Sequence, residues 1–453
     1  MAEHAVIVVG AGPAGVRAAE RLVAAGLRPI MIDEGRASGG QIYRRQPERF
    51  RRSAAELYGF EAGKAQALHR DFAALAGRID YRPESLAWNV YDGALHVEAG
   101  GRTEALRFDA LILAAGATDR IMPLPGWTLP GVYSLGGAQI ALKAQACAIG
   151  ARPVFLGTGP LLYLVAYQYA KAGAPPAAVL DTSPFARRIG ALPALAARPA
   201  MLAKGLYYST WLAAHGVPVL TGVTPLAIEG GARASTVALR DRRGIERRIV
   251  CDAVGIGYGL RSETQLADLA RCDFAFDLVA RQWLLQTDQD CRSSVPRVYV
   301  AGDGARVLGA DAAELAGRLA ACVALADLGL AVPPEEMQGL RRGLRPMARF
   351  RAGLEQAFPW PAHLAADLPD ATLVCRCEAI TAGELRRSAG ALGASELNRA
   401  KAFSRVGMGR CQGRYCGLAA AEVLAAALKL PVEQVGRLRG QAPVKPLSIG
   451  TKA

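Results

Sequence analysis

The chain has 453 residues, 51% of them hydrophobic and 21% charged, with a formal net charge of +14 at pH 7. That length exceeds one ordinary core and implies two or three domains, and the composition excludes a disordered or fibrous chain. Long apolar stretches are broken by charge, as Asp327 breaks 321–332, so no bilayer-spanning helix is expected.

The apolar run 5–9 reads as a core strand, leaving no room for a cleavable signal ahead of it. Gly10-Ala11-Gly12-Pro13-Ala14-Gly15 follows directly, then a helical pattern over 16–25 that Gly26 ends, then a strand over 29–32. Gly10 allows the tight turn, Gly12 lets a pyrophosphate approach the backbone, and Gly15 lets helix and strand pack closely. The helix start, with Pro13 and Ala14, offers unsatisfied N–H groups and a positive dipole end to phosphates. Asp33 closes the second strand where an acid would accept from a ribose hydroxyl, and Glu34 is the alternative. Gly39-Gly40-Gln41 comes soon after, where a long flavin nucleotide would run. A hairpin is expected around Asp92-Gly93, and the buried strand from 110 ends at Ala115-Gly116, small enough for close approach of a cofactor.

The order then repeats. A strand over 153–156, the turn Gly157-Thr158-Gly159-Pro160, a helix over 162–172 and a strand over 179–181 suggest a second dinucleotide-type unit. Here Leu162 replaces the third glycine, Leu180 fills the usual acid position and Asp181 lies one beyond. Gly157 and Gly159 could bind an adenine nucleotide, NAD(P) or ATP, or the site could be vestigial. A hairpin around Arg243-Gly244 and a strand over 253–257 complete the unit. The strand 298–301 and Gly302-Asp303 return to the first unit, where Asp303 resembles the second FAD contact of two-dinucleotide flavoproteins. Together these signals favour FAD over NAD in the first site. The expected fold class is α/β, with two nested Rossmann-like dinucleotide-binding domains and a small helical C-terminal domain.

Six prolines over 331–370 predict a linker or wrapping arm. Cys375-Arg-Cys377 and Cys411-Gln-Gly-Arg-Tyr-Cys416, separated by 33 residues, are then expected to gather four thiolates at one point. Four thiolates at this spacing suit a 2Fe–2S cluster, with tetrahedral zinc and unligated cysteines as alternatives. Arg376, Arg410 and Arg414 beside them would offset an anionic cluster. Thr381 and Glu384 have capping-box spacing, and 417–430 reads as a helix stopped by Pro431. The tail 440–453 is expected to lie against another surface or to be mobile. The domain division is therefore 1–150 and 291–330 for FAD, 151–290 for the second nucleotide, 331–370 linker, 371–435 cluster and 436–453 tail.

No C-x-x-C occurs, the five histidines fall in no catalytic motif, and no catalytic residue is assigned. The five remaining cysteines read as ordinary thiols, and the absence of a disulfide pattern fits the cytoplasm. The basic runs Arg44, Arg45, Arg49, Arg51, Arg52 and Arg341, Arg342, Arg345, Arg349, Arg351 belong to no nucleic-acid-binding motif.

Gly10–Gly15, Gly39-Gly40-Gln41, Ala301-Gly302-Asp303, Cys375-Arg-Cys377-Glu378 and Gly409 to Gly417 resemble one family over nearly the whole chain. It is the FAD-containing alpha (A) subunit of bacterial multi-subunit amine dehydrogenases, of the opine oxidase, D-hydroxyproline dehydrogenase and L-proline dehydrogenase type. The flavin subunit of hydrogen cyanide synthase and the alpha subunit of sarcosine oxidase are more distant relatives. The last two motifs resemble a bacterioferritin-associated-ferredoxin type of 2Fe–2S domain. The resemblance implies a partner beta subunit of amine-oxidase type, with its own FAD, that oxidises the C–N bond of an amino acid or opine. It further implies that electrons pass through this chain to an acceptor no residue here identifies. A small third subunit, an FMN at a subunit interface and peripheral placement at the inner membrane are compatible with it. The competing readings are a stand-alone NAD(P)H-dependent FAD/2Fe–2S reductase of a protein acceptor and a redox-sensing or scaffolding chain.

Overall fold

The computed structural model describes residues 4–448 and Gly450. Five parallel strands form the first sheet, in the order Val298–Val300, Ala110–Leu113, Val6–Val9, Ile30–Ile32, Asp80–Arg82. The central strand Val6–Val9 is buried at every position, as an apolar run between two covered faces must be. The helix Pro13–Ala24 leaves it at once, with Gly12 as N-cap and Pro13 in the first turn, where its missing N–H costs nothing. Its stripe of Ala14, Val16, Ala18, Ala19, Leu22 and Val23 is buried against the sheet and the helix Ala310–Asp327. Gly317 of that second helix lies so close that a Cβ would stand 2.6 Å from the Ala14 carbonyl carbon.

The second sheet is also parallel, in the order Val219–Thr221, Ala178–Asp181, Pro153–Thr158, Ala253–Tyr258, Val132–Ser134. The chain leaves the first sheet after Ala110–Leu113 and returns to it as Val298–Val300, so the second Rossmann-like unit is nested inside the first. The two crossings, Ala117–Asp119 and Leu260–Ser262, pair antiparallel. Val132–Ser134 already belongs to the second sheet, ahead of the expected boundary at 150. A three-residue strand has too little pattern to announce itself.

The expected proline-rich linker over 331–370 is corrected by the structure: it contains the 24-residue helix Pro334–Ala357. Pro333 and Pro334 occupy the N-cap and first turn, where proline is tolerated, and only Pro346 is interior. Arg, Leu, Glu, Gln and Ala fill much of the remainder, and their helix preference outweighs one lost hydrogen bond. This helix packs on both Phe185–Leu195 of the second unit and Ala310–Asp327 of the first.

The C-terminal domain is built on the helices Ala382–Gly390, Leu397–Ser404 and Gly417–Leu428. Thr381 and Glu384 form the expected capping box, with reciprocal bonds of 2.8 and 3.2 Å. Its core takes in Met122 and Tyr258, next to the two crossings, so the domain sits where the nested units meet. Arg281 grips Glu422 through two 2.8 Å bonds, and the Trp127 indole donates to the Leu373 carbonyl at 2.6 Å. The tail lies back on the first unit: Val444 N donates to the Trp88 carbonyl, and Lys445 pairs with Glu34. Among the described residues, no helix is long and apolar enough to cross a membrane.

Candidate functional site

One cavity of about 2370 Å³ is lined by Gly10, Gly12, Pro13, Ala14, Asp33, Glu34, Gly40, Gln41, Ala115, Gly116 and Asp303. The same cavity is lined by Cys375, Cys377, Cys411 and Cys416. Its volume is more than twice the ~1,000 Å³ upper end of single-ligand pockets. Gly15 and Gly302 stand outside that lining and shape the wall from behind. Gly10 has φ of +106°, and a Cβ on Gly15 would overlap the Gly10 carbonyl. A Cβ on Gly40 (φ +59°) would lie 2.9 Å from the Gly12 Cα, and one on Gly302 (φ +68°) 2.9 Å from the Ala14 Cβ. Three loops thus close in around the N-terminus of Pro13–Ala24. No side chain caps that terminus, so its first N–H groups remain for a ligand.

Asp33 Oδ2 accepts from Ala11 N at 2.5 Å and Oδ1 from Gly35 N at 2.6 Å. The carboxylate therefore braces the phosphate loop, and its remaining lone pairs could take a ribose hydroxyl. Burial raises its pKa against those two bonds. Glu34 is engaged by Lys445. Asp303 Oδ1 accepts from Leu308 N and Gly309 N, both at 2.9 Å, and burial lifts its carboxyl above the ordinary range. The cradle fits the pyrophosphate and ribityl portions of a flavin dinucleotide.

The cysteines meet as a chain of hydrogen-bonded thiols, Cys375 to Cys416, Cys416 to Cys411 and Cys411 to Cys377. Cys375 ends the strand Leu373–Cys375, and Cys416 is the N-cap of Gly417–Leu428. A Cβ on Gly409 would overlap the Cys377 Cβ, so only glycine lets these two turns meet. The bond from Cys416 draws Cys375 down to about 6, with help from the Gly407 and Glu378 N–H groups. Cys411 is lowered in the same way, chiefly by Cys416 and further by the N–H groups of Tyr415 and Gly413, while Cys416 is pushed well up. Among the described residues no three His, Cys, Asp or Glu side chains converge as a single-ion site. A two-iron cluster needs no single point of convergence, and backbone N–H groups aimed at sulfur suit its anionic ligands.

The Cys411–Cys416 loop is fastened to the crossing strand by Arg414 of its own motif and by Arg261, Glu263 and Gln265, which belong to none. Arg414 Nε donates to Glu263 at 2.7 Å and Nη1 to the Val444 carbonyl at 2.6 Å. Arg261 Nη1 donates to the Arg414 carbonyl at 3.0 Å, and Gln265 Nε2 to the Gln412 carbonyl at 2.6 Å. Tyr415 hydrogen-bonds Thr118 of the other crossing strand. Glu263 lines the cavity. The only sequence signal for it was a charged cluster just after an apolar strand. Of the three arginines noted beside the cysteines, Arg414 is buried while Arg376 and Arg410 are exposed.

A family model described as pyridine nucleotide-disulphide oxidoreductase matches residues 4–320, and one described as BFD-like [2Fe-2S] binding domain matches 373–426. The chain is 37% identical to the opine oxidase A subunit of Agrobacterium tumefaciens (strain Ach5), over 99% of this chain and 91% of that protein. The chain belongs to the family of opine oxidase A subunits. It is an FAD-dependent oxidoreductase with a C-terminal 2Fe–2S domain. Hydrogen cyanide synthase subunit HcnB of Pseudomonas aeruginosa (strain PAO1) is 32% identical over 99% of both chains. The solved L-proline dehydrogenase from P. horikoshii shares the fold, with TM-score 0.74 at 18% identity over 99% of this chain and 79% of that one.

The second nucleotide turn of this oxidoreductase is closed at its acid end. Asp181 is fully buried and takes bonds from Thr158 Oγ1, Tyr163 OH and Ser183 N at 2.8 Å, and from Arg188 at 2.6 Å. Burial and Asp181 push the Tyr163 phenol far up. Gly157 and Gly159 do not line the cavity, although Pro160 and Leu161 do. No histidine lines it either, and all nine cysteines are free.

Proposed function

We propose that this chain is the electron-relaying subunit of a heteromeric dehydrogenase of CH–NH donors, and that a partner flavoprotein oxidises the C–N bond of an amino acid or opine. The observation that carries this reading is the single cavity walled both by the flavin-nucleotide loops and by the four cysteines. FAD can take up electrons in pairs and a 2Fe–2S cluster passes them singly, so the two together can link a two-electron donor to a one-electron carrier. Gly12, Pro13, Ala14 and Gly40 hold the pyrophosphate at the helix N-terminus, with Gly10 and Gly15 setting the turn. Asp33 receives the ribose while Glu34 anchors the tail. Gln41, Ala115 and Gly116 line the flavin's path, and Gly302 with Asp303 holds the ribityl end. Cys375, Cys377, Cys411 and Cys416 hold the cluster, with Arg414 fixing their loop.

Relatives named as subunits of opine oxidase and hydrogen cyanide synthase support a partner. The cavity has neither histidine nor a redox disulfide, in keeping with amine chemistry on another chain. The engaged Asp181 speaks against NADH as donor, leaving Gly157 and Gly159 for a static adenine nucleotide, NAD(P) or ATP. An FMN and a small third subunit would belong to the assembled interface. The assembly would work in the cytoplasm, at or near the inner membrane. The functional division is FAD at 1–150 and 291–330, second nucleotide at 151–290 and cluster at 371–435.

Anaerobic mixing tests this. The partner subunit with proline, hydroxyproline or octopine should bleach this chain's flavin absorbance, and NADH alone should not. Bleaching of the isolated chain by NADH within a turnover time would make it a stand-alone reductase instead.

A further inference from the structure

The helix Pro199–Ala214 has a composition suited to a core, yet among its 16 residues only Tyr208 and Leu212 are buried. Leu206 is 58% and Tyr207 39% exposed, and the Phe60 ring, 59% exposed, lies 5.1 Å from that of Tyr207. The helix Phe185–Leu195 likewise turns outward Phe185, Ile189 and Leu192, which are 58%, 59% and 45% exposed. Their spacing places them on one face of the helix. Leu206, Phe185, Ile189 and Leu192 also line the cavity, so this apolar surface runs to its rim. Single exposed apolar side chains are normal, but two such groups reaching the rim of one cavity mark an interaction surface.

Charge on the border is mainly positive, with Glu48 as the acid set among the arginines. Arg44, Arg45 and Arg49 line the same cavity. Among the described residues, none of Arg44, Arg45, Arg49, Arg51 and Arg52 has an ion-pair partner. The acids nearest the apolar helix are already engaged, Glu61 by Lys204, and Asp311 by Lys64 and Arg198.

We propose that this face docks the partner flavoprotein subunit, through an apolar patch on the partner bordered by carboxylates. The inference rests on the electron-relay reading for the partner's existence and adds where it binds. A second copy of this chain would bring a second uncompensated arginine border and be repelled. An anionic membrane would also meet these arginines, but relatives named as subunits of opine oxidase and hydrogen cyanide synthase favour a protein partner. Docking here covers the rim of the cavity and shields the cofactors from water.

Three full-length variants test it: Ile189→Glu, Leu206→Glu and the pair Arg49→Glu with Arg51→Glu. Each is titrated with the partner flavoprotein that co-purifies with the wild-type chain, identified by mass and by its own flavin. Each apolar variant should weaken binding about tenfold or more, because it buries an unpaired carboxylate in the contact. The arginine pair should weaken it mainly through slower association, with the loss shrinking at high salt. All three should keep the FAD absorbance and unfolding temperature of the wild type. Unchanged partner binding in all three overturns the inference and leaves the relay reading intact. Self-association abolished by Ile189→Glu would assign the face to a second copy. Sedimentation with phosphatidylglycerol vesicles, abolished by Leu206→Glu while partner binding persists, would assign it to lipid, and either result overturns the proposal. If no flavoprotein partner exists, the relay reading and the docking face fall together.

Discussion

Glu263→Gln strips Arg414 of its ion pair while leaving the shape of the site. The Arg414 side chain is 10% exposed and that of Glu263 19%, with 2.7 Å between their polar atoms. Burial works against an ionised Glu263, but Arg414 and Arg261 outweigh it and hold its carboxyl below the ordinary value. Removing one member of a fully buried pair costs about 3–5 kcal/mol, and the residual exposure here reduces that to about 2–4 kcal/mol. The cost falls on the loop that bears Cys411 and Cys416, because Arg414 also binds the Cys411 and Val444 carbonyls. At the lower figure, local opening becomes about 30-fold more frequent. Iron release to a chelator, followed by visible absorbance, should accelerate accordingly. The sign of the pH dependence follows from the lowered pKa. The pair's contribution is complete above the unfolded glutamate value of 4.5 and is lost as pH falls through the folded value, so wild type and variant converge in acid. Glu263→Leu combined with Arg414→Leu should not recover the loss, because the Cys411 and Val444 carbonyls then lose their donor. Equal iron-release rates and unfolding midpoints for wild type and Glu263→Gln would refute the reasoning.

Cys375→Ser or Cys416→Ser should lose the cluster's colour and iron while retaining FAD, because neither thiol belongs to the flavin cradle; flavin and iron assays on one preparation decide it. Gly40→Val places a Cβ 2.9 Å from the Gly12 Cα at a φ of +59°. Strain of about 1–3 kcal/mol should weaken FAD binding roughly tenfold or more, read by flavin fluorescence. Burial draws the Lys143 ammonium down to about 8 from 10.5, so the unfolded chain holds a proton that the folded chain has released between those values. Stability should therefore rise from about pH 8 to 10.5, and Lys143→Met should remove that rise and raise the denaturation midpoint at pH 7.

Features that a short segment of backbone demands were legible in the sequence. The glycine turn at 10–15, the capping box at 381–384 and the two cysteine pairs each state a local geometric need. Features that depend on distant partners were not. Glu263 and Arg414 are 151 residues apart in sequence, and Lys445 reaches Glu34 from the far end of the chain. Counting prolines over 331–370 hid a 24-residue helix, because two of them sit where a helix starts. Asp181 shows the same limit. Its position one residue beyond the usual acid site was visible, but its four bonds to Thr158, Tyr163, Ser183 and Arg188 were not.

The central claim is that a flavin dinucleotide and a 2Fe–2S cluster share this polypeptide and exchange electrons. Absorption, metal analysis and EPR on anaerobically purified chain, before and after stepwise reduction, test it most directly. The account predicts FAD and iron together, with a reducible paramagnetic signal that vanishes in Cys411→Ser while the flavin remains. Zinc in place of iron at the four sulfurs, or a flavin whose reduction never equilibrates with the cluster, would contradict it.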